Sequence, residues 1–169
     1  MALYTIYNAP SPTTAKIAPV TTGTSIKTLL QVKPSATAQA RIVEWGISFS
    51  GSAAATPISC ELIVTDVAAT VTAHVAAGIV KTDAAALGGG DPTTNLIQVG
   101  TTSTGYTSSG EGSITASRVL DAQQVAPTNQ YVKQFPLGRE PVIEVNGFAR
   151  IRVHAGAAVD AICYMVVEV

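Results

Sequence analysis

The sequence predicts an all-β fold, an antiparallel β-sandwich of the jelly-roll type with an extended N-terminal arm, on three observations. The stretch RIVEWGISFS at 41–50 sets Val43, Trp45, Ile47 and Phe49 on one parity and Glu44, Ser48 and Ser50 on the other, the period-2 pattern of a half-buried strand. About eight strand-like stretches follow one another between Gly, Pro and Asn turns, as two packed sheets require. No stretch carries the apolar period of an amphipathic helix, and no repeat of fixed length occurs. At 169 residues the chain suits one domain that needs no disulfide or metal to fold.

In chain order, Pro10, Pro12 and Pro19 oppose regular ladder pairing, so residues 1–24 are expected to form the arm. Tyr4, Ile6 and Tyr7 could add a strand to a neighbouring protein, or fray with the terminus. The sandwich domain is expected at 25–169. SIKTLLQVK at 25–33 reads as its first strand and 41–50 as its central one, since that holds the only Trp. Ile58, Cys60, Leu62 and Val64 alternate in a second long strand, expected to pair antiparallel with the central one. Residues 66–79 read as strand or irregular crossover. A long loop region is expected at 81–112, broken by GGGDP at 88–92 and by the Thr, Ser and Gly run at 101–112, with a short strand at 96–99. Further strands are expected at 114–119, 131–135 and 141–145. Asn146-Gly147 signals a hairpin into a strand at 148–154. AICYMVVEV at 161–169 is apolar on both parities except for Glu168, and is expected to be covered on both faces.

Composition narrows the function. Charged residues are 12% of the chain, about half the usual share, the net charge is −1, and no Lys/Arg cluster occurs. Binding to a phosphate backbone calls for a basic patch, so no nucleic-acid partner is expected. No membrane partner is expected either, because no apolar run approaches the ~20 residues of a span. MALYTIYNAPSPTT lacks the regions of a signal peptide, and folding in a cytoplasm is expected. A surface of small and hydroxyl side chains has few long charged groups to desolvate and immobilise, which suits it to burial against copies of itself or a lattice.

The residues that could carry chemistry each have a plainer reading. Cys60, Cys163, His74 and His154 lack the C-x2-C or H-x3-H spacing that sets two ligands on one turn. Buried reduced thiols are expected, a Cys60–Cys163 disulfide being the alternative. No G-x-S-x-G elbow marks a nucleophile, and GGGD at 88–91 lacks the Lys-Ser/Thr of a phosphate loop. Arg150 and Arg152 could form cross-strand pairs with Glu140, Glu144 and Glu168, or an inter-subunit contact. Tyr106 and Tyr131 could stack on sugars. No catalytic, metal or cofactor-binding residue is assigned, and no enzyme or cofactor is expected.

The runs LLQVKPSATAQARIVEWGISFSGSAAATPISCELIVTD at 29–66, REP at 139–141 and RIRVHAGAAVDAICYMVVEV at 150–169 resemble small structural proteins of actinobacterial tailed bacteriophages, known as minor capsid or capsid decoration proteins. The resemblance implies a β-sandwich or jelly-roll protein of the virion, made in the host cytoplasm. It would sit on the capsid exterior, as a homotrimer at local three-fold points, and bridge subunits of the major capsid protein lattice. Tyr4, Ile6 and Tyr7 are the expected capsid contacts, and the strands around Trp45 and Tyr164 the expected self-association surface. The alternative is a carbohydrate- or host-receptor-binding module of a head fibre or tail, using the loops at 100–112 with Tyr106; a hydrolase is a third reading.

Overall fold

The computed structural model describes residues 2–12, 14–52, 56–82 and 96–169. Its strands are β1 (Leu3–Tyr7), β2 (Val20–Thr21), β3 (Lys27–Val32), β4 (Ala40–Phe49), β5 (Ile58–Thr65), β6 (Thr70–Ala73), β7 (Ile79–Lys81), β8 (Gly105–Gly110), β9 (Ser117–Val125), β10 (Gln130–Gln134), β11 (Val142–Ile143), β12 (Phe148–His154) and β13 (Asp160–Glu168). Among the described residues they form two antiparallel sheets packed as a sandwich. One runs β10-β4-β13-β1-β7, with β11 also on β4 and β2 also on β13; the other runs β6-β8-β3-β12-β5-β9. These seven and six strands exceed the eight of a jelly roll. No helix among the described residues is long and apolar enough to cross a membrane.

The core fills from the alternation of the central strands. In β13, Ala161, Cys163, Met165 and Val167 are buried while the residues between them are half-buried. Trp45, Ile47 and Phe49 of β4 point inward as expected. Val43 does not: the β13–β4 register slips there, so Val166 faces Glu44 but Val167 faces Ile42. This bulge transfers the inward positions to Ala40 and Ile42, both fully buried. Nor does β5 pair with β4. It lies in the opposite sheet between β12 and β9, so the two alternating strands face one another across the core.

The N-terminal arm is corrected. Residues 3–7 are an interior strand held between β13 and β7, and Val20–Thr21 adds to β13 beyond them. The prolines fall in the stretch between β1 and β2, where the chain leaves β13 and no ladder is required. Asn8 bridges the start of that gap: its Nδ2 donates to the Ala161 carbonyl (3.1 Å) and its Oδ1 accepts from the Cys163 amide (3.0 Å), continuing the ladder with a side chain.

Three further expectations change. Residues 105–110 of the expected loop form β8, an interior strand between β6 and β3. Asn146-Gly147 does form a tight turn, with Asn146 at φ +64° and the Gly147 amide on the Glu144 carbonyl (2.8 Å), but it carries the chain from one sheet to the other, since β11 pairs with β4 and β12 with β3 and β5. The stretch 96–99 makes only isolated bridges, to Pro34 and Thr104. GGGDP at 88–92 lies outside the described residues.

Removing the Asn8 amide leaves the buried Cys163 N–H unpaired and takes one of two donors from the Ala161 carbonyl, which Val20 also pairs. Asn8→Ala should lower stability by roughly 2–3 kcal/mol, read as a shift in the urea midpoint at unchanged m-value.

Candidate functional site

The six-stranded sheet covers part of its own outer face, around Arg150. Arg150, on the outward parity of β12, is fully buried beneath residues 66–69 and 111. Its guanidinium donates to the Val67 carbonyl and, at 3.0 Å, to the Glu111 carbonyl, and pairs with the Glu111 carboxylate at 3.4 Å. Glu111 in turn accepts from the Thr28 amide (2.6 Å), the Thr28 hydroxyl (2.5 Å) and the Ser108 hydroxyl (2.5 Å). These contacts satisfy the two terminal nitrogens a buried arginine must pair, while its Nε is buried without a partner. The expected Arg/Glu ladder is therefore corrected: Arg150 pairs with Glu111, Arg152 with Glu61 (2.7 Å) and Arg41 with Glu140 (4.0 Å), while Glu144 accepts from Gln39 (2.8 Å).

The outer face of the seven-stranded sheet is different. Leu3, Thr5 and Tyr7 of β1 and Ile162, Tyr164 and Val166 of β13 are all half-buried, alternating with core residues. Register places Val132, Gly46, Tyr164 and Tyr7 in one row across four strands, and Glu44, Val166, Thr5 and Val80 in the next. The Tyr7 and Tyr164 rings pack at 5.7 Å. Tyr164 lies flat over Gly46, where an added Cβ would stand 2.5 Å from its Cε1, and its hydroxyl donates to the Glu44 carboxylate. Burial first, and that bond second, push the Tyr164 pKa well up, so the phenol stays protonated. The result is a largely apolar surface with two packed aromatic rings, Gln134 at the β10 end of the second row, and a single acid in its two central rows, suited to contact with another protein.

Polar ties hold both flanks of this sheet. On one, Asp121 of β9 enters the interior because a bulge at Leu120 reverses the parity of β9 against β5. It accepts from Trp45 Nε1 (3.2 Å), the Tyr131 hydroxyl (2.9 Å), Gln123 Nε2 (3.2 Å) and Lys133 Nζ (3.2 Å), which joins β9 to β4 and β10 of the opposite sheet. Burial alone would raise the Asp121 pKa, but the bonds from Gln123, Tyr131 and Lys133 outweigh it and hold the carboxylate below its ordinary value. Tyr131 is pushed up to about 12 by burial and by that carboxylate. On the other flank, the buried His74 ring packs on Tyr106 at 4.9 Å and sets Nε2 2.7 Å from the Tyr7 carbonyl. A carbonyl only accepts, so Nε2 carries the proton, and Nδ1 is buried without a partner. Burial holds the His74 pKa below 6.5.

The expected site residues separate accordingly. Tyr4 and Ile6 are in the core at 1% and 0% exposure, which removes them as surface contacts, and Trp45 is fully buried. Tyr7 and Tyr164, assigned to two different contacts, are brought together on one face. Tyr106 and Tyr131 are held against His74 and Asp121 instead of being presented to a ligand. Cys60 and Cys163 are buried free thiols, with burial pushing Cys60 up to about 12 and Cys163 well above its ordinary value. No three His, Cys, Asp or Glu side chains among the described residues are placed to hold a metal. Asn8, Asp121 and Glu111 went unread in the sequence; Asp121 directly follows Val119 and Leu120 in a strand that also holds Arg and Gln, so nothing local set it apart. Comparison with protein-family models, characterised proteins and solved structures finds no match.

His74 sets a pH dependence. A base whose folded pKa lies below its unfolded value of 6.5 contributes stability that is complete above 6.5 and lost as pH falls through the folded value. The unfolding free energy should therefore drop on acidification below about pH 6.5, and in His74→Gln, less stable at pH 7.5, that part of the slope should vanish. Asp121 acts lower, its contribution being lost below its ordinary 3.8. Asp121→Ala, which orphans the Trp45 N–H, should cost roughly 1–3 kcal/mol at pH 7, with the Trp45 fluorescence shifted in the folded state.

Proposed function

We propose that this chain is a structural decoration protein of a phage head, lying on the capsid exterior and bridging major capsid subunits as a homo-oligomer, with a trimer implied by the resemblance at 29–66 and 139–169. The observation that carries the reading is the outer face of the seven-stranded sheet, left without a covering segment among the described residues, with Tyr7, Tyr164 and Val166 at its centre. Apolar area with few charges to desolvate suits a contact repeated over many lattice positions.

The lattice contact accordingly moves from the arm to this face, and Tyr7 alone of the three N-terminal contacts is kept. The mechanism is mass action. A protein that binds only the expanded lattice lowers the free energy of that state, by about 2.7 kcal/mol per site at a hundredfold excess over Kd. The ordered Tyr7–Tyr164 pair supports tight contact, because rings already packed against each other lose little freedom on binding.

The test is co-sedimentation of the purified protein with undecorated expanded capsids, with unexpanded procapsids as control. Saturable binding to expanded shells alone is expected. Val166→Glu, on the outer face, should leave the fold intact by circular dichroism and weaken that binding at least about tenfold. Binding to neither shell, or a variant that binds as well as the parent, would remove the reading.

A further inference from the structure

We propose that copies of this chain associate by seating the Leu137 turn of one copy in the groove beside Val142 and Val145 of the next. After β10 the chain makes a tight turn closed by the Arg139 amide on the Pro136 carbonyl (2.9 Å), with Gly138 at φ +81°. Leu137 stands at its tip and is 96% exposed, the most exposed large apolar side chain among the described residues. Pro136 and the closed turn fix the backbone that carries it, so little backbone freedom is lost when it is buried.

The receiving groove lies on the same flank, with a volume of about 600 Å3. Val64, Leu120, Val142 and Val145 supply its apolar lining, and Asp66, Glu144 and Arg118 its charges. The groove thus carries one negative charge in excess. The turn carries the complement: Arg139 is exposed and makes no ion pair among the described residues, while the neighbouring Glu140 is turned aside onto Arg41. Apolarity and charge therefore match between tip and groove.

A second copy is the occupant these features select. The exposure of Leu137 means that the chain does not fill its own groove. The tip on one copy and the groove on the next are two different patches, so the contact closes when it is made reciprocally about a two-fold axis or when successive copies complete a ring. The outer sheet face is left free by this contact, and the inference stands whether or not that face meets a capsid.

Sedimentation equilibrium on the full chain should give a closed oligomer, with association at least about tenfold weaker in Leu137→Asp and retained in Leu137→Met. Since Leu137 packs against nothing, these variants should fold as the parent does. A mixture of Leu137→Cys and Val145→Cys copies should form an intermolecular disulfide in higher yield than either variant alone, with Cys60 and Cys163 protected by burial. A parent that stays monomeric at high concentration would overturn the proposal, as would an oligomer that Leu137→Asp leaves intact or a mixture with no gain in cross-linking.

Discussion

The indole N–H of Trp45 must have an acceptor once the largest side chain of the core is buried, and the structure supplies it from the other sheet. Asp121 meets that demand from β9, and in doing so ties β9 to β4 and, through Tyr131 and Lys133, to β10. One flank of the sandwich is thereby closed by a carboxylate with four donors, a fully occupied site in which a buried charge is tolerable. The opposite flank is closed by His74 between Tyr106 and the Tyr7 carbonyl. With both flanks fixed, the seven-stranded sheet between them presents its outer side chains as a rigid surface.

The two sheets spend their polar groups unequally. Arg150 and Glu111 bind loop segments over the six-stranded sheet and bury Ile63 and Thr65 on its outer face. Among the described residues nothing comparable is built over Tyr7, Ile162, Tyr164 and Val166, which are half-buried. A chain so poor in charge can place only a few such clamps, and among the described residues this face carries none. The apolar outward parity of β13 was legible in the sequence; that no described segment would cover it was not, because burial depends on which distant segments fold over the strand.

The same division between local and distant information accounts for the other outcomes. The alternation of β4, β5, β12 and β13 is local, and these strands lie where the sequence places them. The bulges at Val43 and Leu120 are set by pairing with a partner strand, and leave no trace in the alternation itself. Residues 3–7 resembled an arm because prolines follow them closely, while the partner that makes them a strand lies at the other end of the sequence. β8 was hidden by its Thr, Ser and Gly composition, its place being fixed by neighbours on both sides. Of the site, Tyr7 and Tyr164 were each singled out, but their contact spans nearly the whole chain and no local pattern joins them.

That span also governs when the surface comes into being. The side-chain bridge from Asn8 joins residues 153 positions apart, so β1 is without its main partner until residues 160–168 have left the ribosome. At translation rates of roughly 5–20 residues per second, β1 waits on the order of 8–30 s, and only then does Tyr7 come to lie beside Tyr164. A nascent or truncated chain cannot display the paired rings. Any contact that needs both rings therefore waits on a fully synthesised β13.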